Sequence, residues 1–155
     1  MCHYFFIFSW QPPLSPQHCL TIFLMWEKHK HSESTWFPYI DSLPITFTTP
    51  AYFTRTELSF LPPSVKTKAM FEHDKVTSIF TMTQIFTREK WKECSDILTY
   101  EDFRWAWYVV NSRSVHYEAG RSEYLCADEP NNMALAPYLD LLNHSPEVTV
   151  SKWAN

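Results

Sequence analysis

Two groups of residues in this chain carry more chemistry than packing requires. In Asp140-x-x-Asn143-His144, a carboxylate, an amide and an imidazole fall within about one and a half helical turns, among three leucines. An amide presents donor and acceptor together, which suits a ligand bearing both an amine and a carboxylate. The same side chains could instead close a polar helix C-terminus on itself. The second group is Arg113. Phe103, Ala106, Trp107 and Val110 recur at helical spacing, and the next position along that stripe is this arginine. A guanidinium keeps its charge, so one turned toward a core needs an anion or several carbonyls. A nearby anion would serve. So would the free carbonyls of its own helix C-terminus, whose dipole a cation also offsets.

The elements that must position these residues are mostly helical. Ser15-Pro16 reads as an N-cap followed by proline at the first helical position, opening a helix to about His29. That helix is expected to bury Cys19 or Leu20, Phe23 and Leu24, with Glu27 at the edge of the stripe. Trp36 to Pro44 is an aromatic-proline segment that cannot be a long helix, and Phe47 to Phe53 reads as extended and turning around Pro50. After Pro62-Pro63, the spacing of Val65, Ala69, Val76, Ile79, Phe80 and Phe86 predicts a long helix, its stripe interrupted around Glu72-His73. Thr99 and Asp102 form a capping-box pattern before the arginine-bearing helix. Leu135, Leu139 and Leu142 share a face if their segment is helical, and Pro146 would end it.

Composition narrows the function. The 155 residues contain one glycine, Gly120, and eleven prolines. A single glycine excludes the P-loop, the dinucleotide fingerprint, the kinase glycine-rich loop and the nucleophile elbow. A net charge of −4 with no basic face argues against nucleic acid as a ligand. The four cysteines have no paired or metal-ligand spacing, and His29-x-His31 lacks a third ligand, so no metal site is expected. Reduced thiols fit a cytoplasmic or nuclear protein. The apolar start at residues 1–10 has no basic n-region and is followed by prolines, so neither a leader nor a membrane span is expected. Asn143-His144-Ser145 is formally a glycosylation sequon, set against use by the following proline and its apolar neighbours.

Three blocks together resemble one family. They are Trp36-x-Pro38-Tyr39-Ile40-x-x-Leu43-Pro44, then Trp105-Ala106-Trp107-x-x-Val110-Asn111-x-Arg113-x-Val115, then Leu135 through Pro146. Their order and content resemble the SET-domain protein-lysine methyltransferases of the Rubisco large-subunit methyltransferase type, over roughly residues 14–150.

The resemblance implies an α+β fold, here mostly helical. Residues 1–13 would be an atypical N-terminal segment and 14–155 a partial SET domain, with the helical insert at about 45–98 and entry to the SET core at about 99–150. It implies S-adenosyl-L-methionine as cofactor, held by Asn143, His144 and Arg113, the arginine meeting the cofactor's carboxylate, with Asp140 packed beside it. The partner implied is a protein with a target lysine, histone or non-histone. The family's glycine-x-glycine segment has no counterpart here, and its catalytic tyrosine segment is expected to be missing, so no catalytic residue is assigned. Tyr138 is expected to pack rather than to stand in for that tyrosine. The expectation is therefore a truncated, catalytically silent chain, the alternative being a non-catalytic protein-interaction fragment.

Overall fold

A computed structural model describes residues 14–117, 120, 125–126, 132–142 and 146–147. Helix α1, Pro16–His29, opens as its sequence requires: Ser15 is extended and its hydroxyl accepts from the His18 N–H at 3.2 Å, with proline next in line. The buried side agrees with the expected one at Leu24 and differs from it elsewhere. His18, Thr21, Ile22, Leu24, Met25 and Glu27 face inward, whereas Cys19, Leu20 and Phe23 are only half-buried. Polar residues take the centre because each is satisfied there. Thr21 donates to the Gln17 carbonyl at 2.7 Å, and Glu27 accepts from the Ser34 hydroxyl at 2.6 Å and pairs with Lys30. Phe23 turns out to meet the Trp36 ring edge-on at 5.1 Å. The helix ends with His31 in the left-handed region at φ 49, a place glycine usually fills.

Helix α6, Tyr100–Arg113, is the centre of the molecule. The expected stripe is buried, and so are Trp105, Tyr108 and Val109, so the helix is enclosed on all sides along its middle turns. Helix α1 lies along it, and the segment from Leu43 to Phe53 closes over it. Trp105 Nε1 donates to the Pro44 carbonyl at 2.9 Å, and the Tyr108 ring meets Tyr52 at 5.3 Å. Thr99 caps the helix, accepting from the Asp102 N–H at 3.1 Å. The box is only half made. The Asp102 carboxylate takes the Thr99 hydroxyl and the Lys28 ammonium, at 2.8 and 2.5 Å, in place of the Thr99 N–H. A complete box sits instead at Thr54 and Glu57, opening the short α3, Arg55–Ser59.

Helix α4, Pro63–Lys90, runs 28 residues without a break at Glu72-His73, where the stripe simply faces solvent. Its inward line is Ala69, Val76, Phe80, Thr83 and Thr87. The threonines tolerate burial because Thr83 donates to the Ile79 carbonyl and Thr87 to the Thr83 carbonyl. Val65 is exposed, correcting its place in the stripe. Phe71, Met82 and Ile85 project from the opposite side. Helix α5, Lys92–Ile97, packs back on α4, with Trp91 and Cys94 buried at the junction. Helix α2, Phe37–Ser42, covers part of α1.

Two short strands follow α6 in sequence and pair antiparallel: β1, Ser114–His116, and β2, Met133–Leu135. The fold is thus α+β and mostly helical. Leu135 is therefore a strand residue and shares no helical face with Leu139 and Leu142. Helix α7 is a single turn, Pro137–Asp140, beyond which Leu141 and Leu142 are exposed.

Candidate cofactor site

The serines at the end of α6 bond back into their own helix. The Ser112 hydroxyl donates to the Tyr108 carbonyl at 2.7 Å, and the Ser114 hydroxyl donates to the Val110 carbonyl at 2.6 Å. The Arg113 side chain bonds no carbonyl of its own helix among the described residues, so capping, one of the two roles open to it, is not what it does there. The strand register decides what the arginine meets. Ser114 pairs with Leu135, which places Ala136 and Pro137 at the end of α6 and starts α7 beside Arg113. Proline at the first position of that turn loses no hydrogen bond. One turn on, Asp140 Oδ1 lies 3.3 Å from Arg113 Nη1.

A third residue completes the cluster. The Tyr39 hydroxyl of α2 donates to Asp140 Oδ2 at 2.9 Å. Each carboxylate oxygen thus holds one donor, and the aspartate side chain keeps 12% of its exposure. Burial pushes the Tyr39 hydroxyl well above the usual tyrosine range, and the bond to Asp140 and its negative charge push the same way. The hydroxyl therefore stays a donor at any working pH. Arg113 gives one of its five N–H donors to Asp140 and keeps 38% of its side-chain exposure. Among the described residues no other group accepts from it.

Beside this cluster, an open groove of about 270 Å³ runs between α2 and α7, walled by Trp36, Pro38 and Tyr39 on one side and Pro137, Tyr138 and Leu141 on the other. Tyr138 is 91% exposed, so the expectation that it packs is corrected. Asn143 and His144 lie outside the described residues. Arg113 and Asp140 are brought together, and Tyr39, to which the sequence assigned no role, joins them. Its only signal was membership of the Trp36-to-Pro44 block.

Comparison with known proteins finds similarity to SET domain-containing protein 4 and, more weakly, to proteins named as methyltransferases. The chain is 40% identical to SET domain-containing protein 4 of Mus musculus over 149 residues, covering 94% of this chain and 34% of that protein. It is 28% identical to Ribosomal lysine N-methyltransferase set10 of Schizosaccharomyces pombe over 133 residues, 86% of this chain and 23% of that protein. It is 29% identical to Actin-histidine N-methyltransferase of Otolemur garnettii over 117 residues, 72% and 19%. The chain spans about a third of the length of the SET domain-containing protein 4 relatives it matches. No family model matches it, and no solved structure matches it significantly.

Proposed function

We propose that the chain is the cofactor-side portion of an S-adenosyl-L-methionine-dependent protein-lysine N-methyltransferase of the Rubisco large-subunit methyltransferase type. The observation that carries this reading is Arg113: a half-exposed guanidinium that bonds no carbonyl of its own helix among the described residues and is held on one side by Asp140. A charge-assisted pair with the cofactor's carboxylate suits that free edge. Asn143 and His144 follow Asp140 closely enough in sequence to reach the same ligand. When bound, the cofactor supplies a sulfonium methyl group for a neutral lysine amine to attack in line. The residues of this chain bind and orient it, and none of them is assigned proton transfer.

Lysine is preferred as the target through the similarity to a ribosomal lysine methyltransferase, and the similarity to an actin-histidine methyltransferase makes histidine the competing acceptor. Residues 45–98 would form the helical insert and 99–150 the entry to the SET core. With one glycine in the chain, the glycine-x-glycine contact to the cofactor has no counterpart, and turnover by this chain alone is not expected. A second reading, a non-catalytic interaction protein, is favoured by Phe71, Met82 and Ile85 on the outer side of α4 and by Leu141 and Leu142 beyond α7, all exposed.

Calorimetric titration of the purified chain with S-adenosylmethionine separates the two. The methyltransferase reading expects binding in the low micromolar range. It expects a loss of roughly ten- to a hundred-fold in Arg113→Ala, the worth of one charge-assisted hydrogen bond. Asn143→Ala should lose comparably. No heat of binding to folded chain at saturating cofactor would overturn it for this chain and leave the interaction reading standing.

A further inference from the structure

We infer that Tyr39 is a positioning residue for the cofactor's carboxylate: its hydroxyl orients Asp140, and Asp140 in turn fixes the guanidinium of Arg113. This rests on the cofactor reading of Arg113 given above. The geometry is a chain of two contacts, Tyr39 hydroxyl to Asp140 Oδ2 at 2.9 Å and Asp140 Oδ1 to Arg113 Nη1 at 3.3 Å. It joins three elements that the sequence leaves far apart: α2, the end of α6 and the single turn of α7. Each link is needed for a specific reason.

A carboxylate on a four-residue helix has little to hold its rotamer, since α7 has no side-chain cap and its flanking Leu141 and Leu142 are exposed. A single contact from a half-exposed arginine would leave Asp140 free to rotate about its own bond. The second oxygen, taken by Tyr39, removes that freedom. Tyr39 can do this because it is itself fixed: its residue is 5% exposed, its ring packs edge-on to Trp36 at 6.1 Å, and its carbonyl accepts from the Ser42 hydroxyl at 2.6 Å. The aspartate therefore presents Oδ1 in one place. Arg113, held at Nη1, presents its remaining donors in one direction. Fixing a donor fork before the ligand arrives removes ordering cost from binding. A Tyr39 that only packed would need no hydroxyl.

The test uses the whole chain and the substitution Tyr39→Phe, which keeps the ring, with Asp41→Asn at an exposed position of α2 as a control. Without cofactor, the exchange rate of the Arg113 guanidinium Nη–H protons is measured by nitrogen-15 NMR at low temperature, their signals assigned by Arg113→Lys. The expected result is exchange several-fold faster in Tyr39→Phe and in Asp140→Asn, unchanged in Asp41→Asn, with the backbone spectrum preserved. An Arg113 signal indifferent to Tyr39→Phe overturns the positioning role, whatever the cofactor does.

With cofactor, Tyr39→Phe is expected to weaken S-adenosylmethionine roughly three- to ten-fold, the worth of one neutral hydrogen bond. Binding of the decarboxylated analogue should stay unchanged. Equal weakening of both ligands shows a general structural defect and overturns the inference. Absence of cofactor binding to the folded wild-type chain overturns the cofactor reading of Arg113, which the exchange measurement distinguishes from a failure of Tyr39.

Discussion

The imidazole Nε2 of His18 lies 2.8 Å from the hydroxyl of Thr83, tying α1 to α4 across 65 residues of sequence. Thr83 already gives its single hydroxyl proton to the Ile79 carbonyl at 2.8 Å, so it accepts from His18, and Nε2 carries the proton of a neutral ring. Both residues are buried, and the Phe103 ring stands edge-on to the imidazole at 5.9 Å.

That neutral ring makes stability depend on pH. Burial lowers the His18 pKa from 6.5 to about 4. Above pH 6.5 the ring is neutral in both states. As pH falls from 6.5 to 4, the unfolded chain takes a proton that the folded chain refuses, and folding weakens by about 3 kcal/mol. Urea unfolding of wild type and His18→Gln at pH 7 and pH 4.5 measures it. A wild-type decline no steeper than the variant's would show that the ring is not held neutral.

Phe103→Ala removes a fully buried ring that meets Phe80 at 5.6 Å and Trp107 at 6.4 Å. The expected loss is about 3–5 kcal/mol, since α1 and α4 are tied to each other and cannot close the gap freely. The unfolding midpoint in urea reports it, and a loss below about 1 kcal/mol would mean that this part of the core collapses around the substitution.

Arg104→Lys should cost about 1–2 kcal/mol. The guanidinium sits 3.7 Å from the centroid of the Tyr52 ring while Nη2 donates to the carbonyl of the same residue at 2.6 Å. An ammonium can reach one of those two sites, not both. A double-mutant cycle with Tyr52→Leu isolates the ring contribution, and a coupling near zero would remove it.

His31→Gly should raise stability by about 1 kcal/mol. At φ 49 the histidine holds a left-handed conformation that crowds its Cβ against the backbone, and glycine has no Cβ to crowd. His31→Ala should gain nothing. Equal effects of the two substitutions would show that the side chain, not the backbone, sets the outcome.

These residues also show what a sequence can and cannot reveal. Ser15-Pro16 is a local signal and it holds, as does the Phe103-to-Val110 stripe, whose apolar residues have no polar competitor. The α1 stripe shifts because His18 and Thr21 bury polar atoms whose partners, Thr83 and the Gln17 carbonyl, hydrophobic spacing does not register. The complete capping box at Thr54 and Glu57 was readable and lay in a segment too short and polar to draw attention. In the candidate site, the inward bias of Arg113 was visible and its partner was not. Asp140 reaches it only through the strand pairing of Ser114 with Leu135. Tyr39 arrives from 101 residues away, a distance at which no periodicity operates.

Helix α6 is enclosed on every side along its middle, and this limits how its sequence can change. A helix with one wet face can drift there at no cost, and its tolerance to substitution rises and falls with a period near 3.6. From Phe103 to Val110 that rhythm is absent: Arg104 alone is not buried, and it is engaged by Tyr52. Helix α4, twice as long, keeps most of its surface wet. Exhaustive substitution should therefore draw α4 as a series of stripes and the middle of α6 as a solid block. Among diverging relatives, that block is where the pace of replacement should be slowest.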